Sequence, residues 1–109
     1  MELLPLAART VTGNGGTIDA DMHGISGDLR LELECTVASG TTPTLNVKLQ
    51  DSFDGVDWND VATGAFTQLV AAGRQALSVT DPVAPFLRAS WTIAGAGASF
   101  TFDVKLIAE

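Results

Sequence analysis

Four stretches of the chain alternate hydrophobic and polar residues with a period of two. In 29–37, Leu29, Leu31, Leu33, Cys35 and Val37 fall on one face, and Arg30, Glu32, Glu34 and Thr36 on the other. Successive side chains of a strand switch faces, so this pattern predicts a half-buried strand. A helix would place Leu29 and Leu33 together and throw Leu31 to the far side. The same pattern puts Leu45, Val47 and Leu49 inward and Asn46, Lys48 and Gln50 outward over 44–50. It recurs with Leu87, Ala89, Trp91 and Ile93 over 86–93, and with Phe100, Phe102, Val104 and Leu106 over 99–107. Weaker strand candidates are 5–12, 16–20, 66–71 and 75–80. Segment 61–72 has the length of a short helix, but its Thr, Phe and Val favour strand or loop.

Turn chemistry separates these runs. Gly13-Asn14-Gly15-Gly16, the segment 38–43, Asp54-Gly55, Ala72-Gly73, Asp81-Pro82 and Ala94-Gly95-Ala96-Gly97 all carry Gly, Asn, Asp or Pro, the residues that tight reversals use. Ala94–Gly97 lies between two strands with no following helix to cradle a phosphate, so it reads as a hairpin loop. The expected fold is all-β, an antiparallel β-sandwich or flattened barrel of about seven to nine short strands with little or no helix. Residues 1–109 form one domain on this reading. Residues 1–6 are either an extended N-terminal arm or the closing end of the sandwich.

Composition narrows the function classes. With 6 Lys+Arg against 13 Asp+Glu and a net charge of -7, the chain has no basic surface with which to neutralise phosphates. Nucleic acid is therefore not an expected partner, and neither is an anionic membrane. No apolar run approaches the roughly 20 residues of a membrane-spanning helix. The N-terminus Met1-Glu2-Leu3-Leu4-Pro5 lacks the basic and apolar regions of a signal peptide. A single cysteine permits no internal disulfide, and synthesis in a cytoplasm is the expectation.

Few residues offer chemistry. His23, the one histidine, lies in the loop-like Asp21-Met22-His23-Gly24 and has no companion for a metal site or triad. Cys35 continues an apolar face and reads as core. The carboxylates of Asp51, Asp54, Asp57 and Asp60 invite calcium, but their spacing does not fit an EF-hand loop, and Asp-Gly with Asx capping explains them as a turn. No nucleophile–base pair, metal set or cofactor motif is present, so no enzyme is expected. Aromatic faces stack on sugar rings. Trp91 reads as core, which leaves Trp58 as the platform for a carbohydrate-binding reading. Phe53, Phe66 and Phe86 are out of phase or in turns, and Leu3, Leu4 and Leu6 flank Pro5 at the N-terminus. These six and Trp58 are the candidate interaction residues.

The run Ser39-Gly40-Thr41-Thr42-Pro43-Thr44-Leu45-Asn46-Val47-Lys48-Leu49-Gln50-Asp51-Ser52, followed by Asp54-Gly55 and Asp57-Trp58, resembles small structural proteins of tailed bacteriophages. So does Pro85-Phe86-Leu87-Arg88-Ala89-Ser90-Trp91-Thr92-Ile93 with the glycine-rich segment and last strand after it. The Ser-x-Asp-Gly-x-Asp-Trp turn is similar to the Asp-box of sialidases, one residue shorter and unrepeated. The resemblance covers residues 39–107 and implies a non-enzymatic capsid decoration (cement) protein. It would sit on the capsid surface of the virion as a homo-oligomer, most simply a trimer, bound to the phage major capsid protein. The alternatives are a carbohydrate- or host-surface-binding β-sandwich module, and a tail or neck component.

Overall fold

The computed structural model describes residues 2–19, 29–80 and 84–108. His23 and the Asp81-Pro82 turn lie outside the described residues. The described residues form seven strands in chain order: β1 (Glu2–Arg9), β2 (Gly13–Asn14), β3 (Ile18–Asp19), β4 (Leu29–Ser52), β5 (Asn59–Ala65), β6 (Gly73–Val79) and β7 (Phe86–Ala108). All pair antiparallel, in the order β1-β7-β4-β5, with β2 and β3 also on β7 and β6 also on β4. Among the described residues there is no helix.

The frame is one ribbon. β4 and β7, of 24 and 23 residues, pair from Leu29↔Ala108 to Ser52↔Phe86. Straight, such a ribbon would be about 80 Å long, yet the longest dimension of the molecule is 40 Å. It therefore folds over near its middle. The corner falls where the register shifts, between Cys35 and Val37, Ser39 and Thr41, and Thr41 and Thr44. There Gly40, Gly95 and Gly97 take positive φ, as does Thr42 at 44°. The segment Ala94–Gly97, read from the sequence as a hairpin loop, is thus a bend inside a continuous strand, as is 38–43. Gly95, at φ 111°, has room for no side chain: a Cβ would lie 2.9 Å from Pro43 Cα and from the carbonyl oxygens of Thr41 and Thr42.

Folding the ribbon gives two layers. One holds β6, residues 29–39 of β4, residues 99–108 of β7, and β1. The other holds β5, residues 44–52, residues 86–94, β2 and β3. Leu29, Leu31, Leu33 and Cys35 meet Leu45, Val47, Leu49, Leu87, Ala89 and Trp91 in a single core. Trp91 and Phe102 pack edge to face, 5.9 Å between centroids. Side chains close the sandwich at both flanks. On the β1 side the Arg9 guanidinium lies over Trp91 and Phe102 and donates to the Phe102 and Pro5 carbonyls. On the β6 side the Gln75 amide accepts from Thr67 N–H and donates to Thr67 C=O, tying β6 to the segment after β5.

Three further expectations change. Val37 was placed inward, but the bulge after Cys35 adds one residue to β4 and turns Val37 out, 56% exposed. Residues 1–6 are not a free arm: from Glu2 they belong to β1. A register break between Glu2 and Leu4 lets consecutive Leu3 and Leu4 both enter the core. Phe66, read as exposed, is buried, because its N–H donates to the Val47 carbonyl and swings the ring under the layer.

Candidate functional site

The outer face of the β5-containing layer carries a ladder of polar side chains. Alternation points Asn46, Lys48 and Gln50 outward, and register sets them against Thr92, Ser90 and Arg88. Asp60 of β5 lies opposite Gln50, and Asn14 opposite Ser90. Hydrogen bonds run along this row. Lys48 Nζ reaches Asp60 Oδ2 at 3.0 Å, Gln50 Nε2 donates to Asp60 Oδ1 at 2.9 Å, and Arg88 Nε donates to Gln50 Oε1 at 2.9 Å. The Arg88 guanidinium then lies 4.2 Å from the centroid of Trp58, a cation–π contact. Lys48, Asp60, Gln50, Arg88 and Trp58 form one connected chain.

The turn before β5 fixes where Trp58 stands. Ser52 is fully buried, and its Oγ accepts from the N–H groups of Asp54 and Gly55 while donating to Asp54 Oδ1. Asp54 Oδ1 also accepts from the N–H groups of Val56 and Asp57, at 2.8 and 3.0 Å. These bonds, led by that from Asp57, hold the Asp54 carboxyl below its ordinary pKa. The Gln50 amide and the Lys48 ammonium do the same for Asp60. Both side chains are therefore acceptors only at neutral pH. Lys48 and Arg88 have further N–H donors beyond the bonds of the ladder. A half-buried aromatic ring beside a row of donors and acceptors is suited to a polyhydroxylated ligand, which stacks its C–H face and hydrogen-bonds at its edge.

The other layer bears a shallow cleft of about 470 Å³, lined by Glu32, Glu34, Arg74, Asp103 and Lys105 among others. Arg74 pairs with Glu34, and Lys105 lies opposite Glu32. None of its lining residues is aromatic, so it offers hydrogen bonds without a stacking surface.

The seven residues singled out from the sequence are dispersed. Leu3, Leu4 and Phe66 are core. Leu6 is exposed on β1. Phe86 is half-buried at the start of β7, opposite Ser52 and Asp19. Phe53 is 83% exposed on the 52–58 turn, in the same turn as the half-buried Trp58. Only Phe53 and Trp58 fall together. The acidic residues diverge: Asp54 faces its own turn, Asp60 faces Lys48 and Gln50, and Asp51 accepts from Ala84 N–H at 2.9 Å. Among the described residues no group of three or more His, Cys, Asp or Glu could hold a metal ion. Cys35 is buried, which raises its thiol pKa, and its Sγ donates to the Val37 carbonyl. Asp60 was singled out only as one of four carboxylates that invite calcium, and Lys48, Gln50 and Arg88 were not singled out from the sequence. Their outward phase was visible; their meeting was not.

No family model matches the chain, and no curated protein matches it in sequence. Solved structures do match in shape. The CBM4 module superposes with a TM-score of 0.58 at 17% identity, over 90% of this chain and 61% of that one. The chain thus spans less than two thirds of that relative's length. The CBM22-1 xylan-binding domain of Paenibacillus barcinonensis Xyn10C gives 0.51 at 10% identity, over 99% and 92%. The C-terminal family 22 carbohydrate-binding module of Clostridium thermocellum Xyn10B gives 0.52 at 10% identity, over 92% and 76%. The chain is a β-sandwich. At these identities the likeness is one of fold. The three structures are carbohydrate-binding modules, and the resemblance to phage structural proteins gains no support from them.

Proposed function

We propose that the chain is a carbohydrate-binding β-sandwich module that holds a neutral glycan against the Trp58 face. The observation that carries this reading is the continuous Lys48–Asp60–Gln50–Arg88–Trp58 chain on one outer face. It places an aromatic ring, an amide, a carboxylate and two cations in a row, with each side chain oriented by its neighbour before any ligand arrives. The net charge of -7 disfavours polyanionic glycans and favours uncharged ones. The similarity to a xylan-binding domain suggests β-linked plant polysaccharide as the first class to try.

The test is affinity electrophoresis of the full chain in gels containing soluble xylan or mixed-linkage glucan, followed by calorimetric titration with the matching oligosaccharide. Migration is expected to slow in at least one gel. Trp58→Ala is expected to weaken binding about five- to thirtyfold, because stacking on one aromatic ring contributes on the order of 1–2 kcal/mol, while the chain stays folded. Unretarded migration across a panel of neutral glycans, or unchanged binding by Trp58→Ala, overturns the proposal.

A further inference from the structure

The free edge of a sheet is a row of unpaired N–H and C=O groups, and proteins blunt such edges to avoid joining other chains. Three flanks here are blunted. β2 and β3 are two residues each, too short to template a partner. β1 contains Pro5 and two register breaks, and the Arg9 guanidinium occupies the carbonyls of Pro5 and Ala7. β5 bulges, with Asp60 opposite Gln50 and Ala65 opposite Lys48, so that four of its residues stand against Leu49 alone.

β6 is different. It pairs with β4 residue by residue from Gly73↔Cys35 to Val79↔Leu29 without a register break. It contains no Pro or Lys and one charged residue, Arg74, which is paired with Glu34 on its own layer. Among the described residues, no strand pairs with its outer edge. The turn leading into it exposes Val70, Ala71 and Ala72.

We propose that this edge pairs antiparallel with β6 of a second copy, making one continuous sheet across a two-fold axis at Ala76. Directly opposed residues in an antiparallel pair are of the same hydrogen-bonding type, so the dyad of a self-paired strand passes midway between a residue and its own copy. Only Ala76 as centre pairs all seven residues of Gly73–Val79. Ala76 then meets Ala76 of the partner subunit, Arg74 meets Ser78 of the partner subunit, and Gln75 meets Leu77 of the partner subunit. No like charges are opposed, and the smallest side chains of the outer face sit at the axis. The match adds about six to eight backbone hydrogen bonds. Such a contact is isologous and closes at two copies, in place of the trimer that the phage resemblance implies. It lies on the layer opposite Trp58, so it leaves the ladder from Lys48 to Trp58 open and does not depend on the glycan reading.

Sedimentation equilibrium of the full chain up to about 200 µM tests this. The wild type is expected to approach twice the monomer mass. Ala76 is exposed, so Ala76→Lys folds as before but sets two ammonium groups face to face, and is expected to sediment as a monomer. Ala76→Cys places dyad-related Cβ atoms within about 5 Å and is expected to cross-link into a covalent dimer under mild oxidation, while buried Cys35 leaves the wild type uncross-linked. A wild type monomeric throughout the range, an Ala76→Lys variant as dimeric as the wild type, or an Ala76→Cys variant that does not cross-link overturns the proposal.

Discussion

Gly95→Ala tests the corner on which the fold depends. At φ 111° an L-residue is confined to a backbone region it rarely enters, and the new Cβ would sit 2.9 Å from three backbone atoms of the facing strand. Those atoms belong to Thr41, Thr42 and Pro43, which are held in the opposite arm of the bend and have no flexible end to yield. The conformational strain contributes about 1–3 kcal/mol, and forcing a methyl group into filled space a similar amount, about 1–3 kcal/mol. Together these give an expected loss of about 2–6 kcal/mol. Unfolding entropy near the midpoint is about 2.1 cal/mol/K per residue. For 109 residues, 1 kcal/mol then moves the midpoint about 4 °C, and Gly95→Ala lowers it by about 8–24 °C. The internal control is Gly97→Ala. Gly97 is at φ 64°, with nothing within 4 Å of its would-be Cβ. Only the left-handed backbone cost applies there, about 1–2 kcal/mol, or roughly 4–8 °C. Urea unfolding checks both variants, with an unchanged slope required so that the free energies compare like with like. If the two variants lose the same stability, the bend is not held by Thr41–Pro43 and the folded-ribbon argument is wrong.

Truncating the N-terminal strand separates core from surface: Leu4→Ala is expected to cost about 2–5 kcal/mol, whereas exposed Leu6→Ala stays within about 0.5 kcal/mol, and equal losses would mean that β1 does not pack as described. Acid stability should follow the carboxylates of the turn and ladder. Asp54 and Asp60 have folded pKa values below their unfolded ones, so their contribution is full above the ordinary value near 4 and disappears as pH falls through the lowered folded values. Asp54→Asn combined with Asp60→Asn should therefore lower the midpoint at neutral pH and flatten its fall on acidification. A double variant whose midpoint falls with pH as steeply as the wild type would show that other carboxylates govern the acid limb.

The strands were legible because each buries one face only. Odd positions are inside over 29–35, 45–49 and 87–91, and even positions over 100–106. The corner was not legible, because a glycine at positive φ serves a chain reversal and a fold-over equally well. The phase held the distinction: interior positions are odd through Trp91 and even from Ala98, a change that irregularities within one strand produce. The N-terminus misled for a related reason, since Leu3-Leu4 breaks alternation and a bulge is what admits both to the core. For the site, local sequence disclosed the 52–58 turn but not the ladder, which joins Gln50 to Arg88 across 38 positions and is set only when β4 and β7 come into register. That register is shared by the whole ribbon. A shift of one residue at the corner would move Arg88 away from Gln50 and from the ring of Trp58 together, so the geometry of the polar face and the bend that brings the layers into contact are one structural commitment. A corner variant that still folds should lose its alignment of Arg88 over Trp58, visible as a change in tryptophan emission, before it loses its β-sheet circular dichroism.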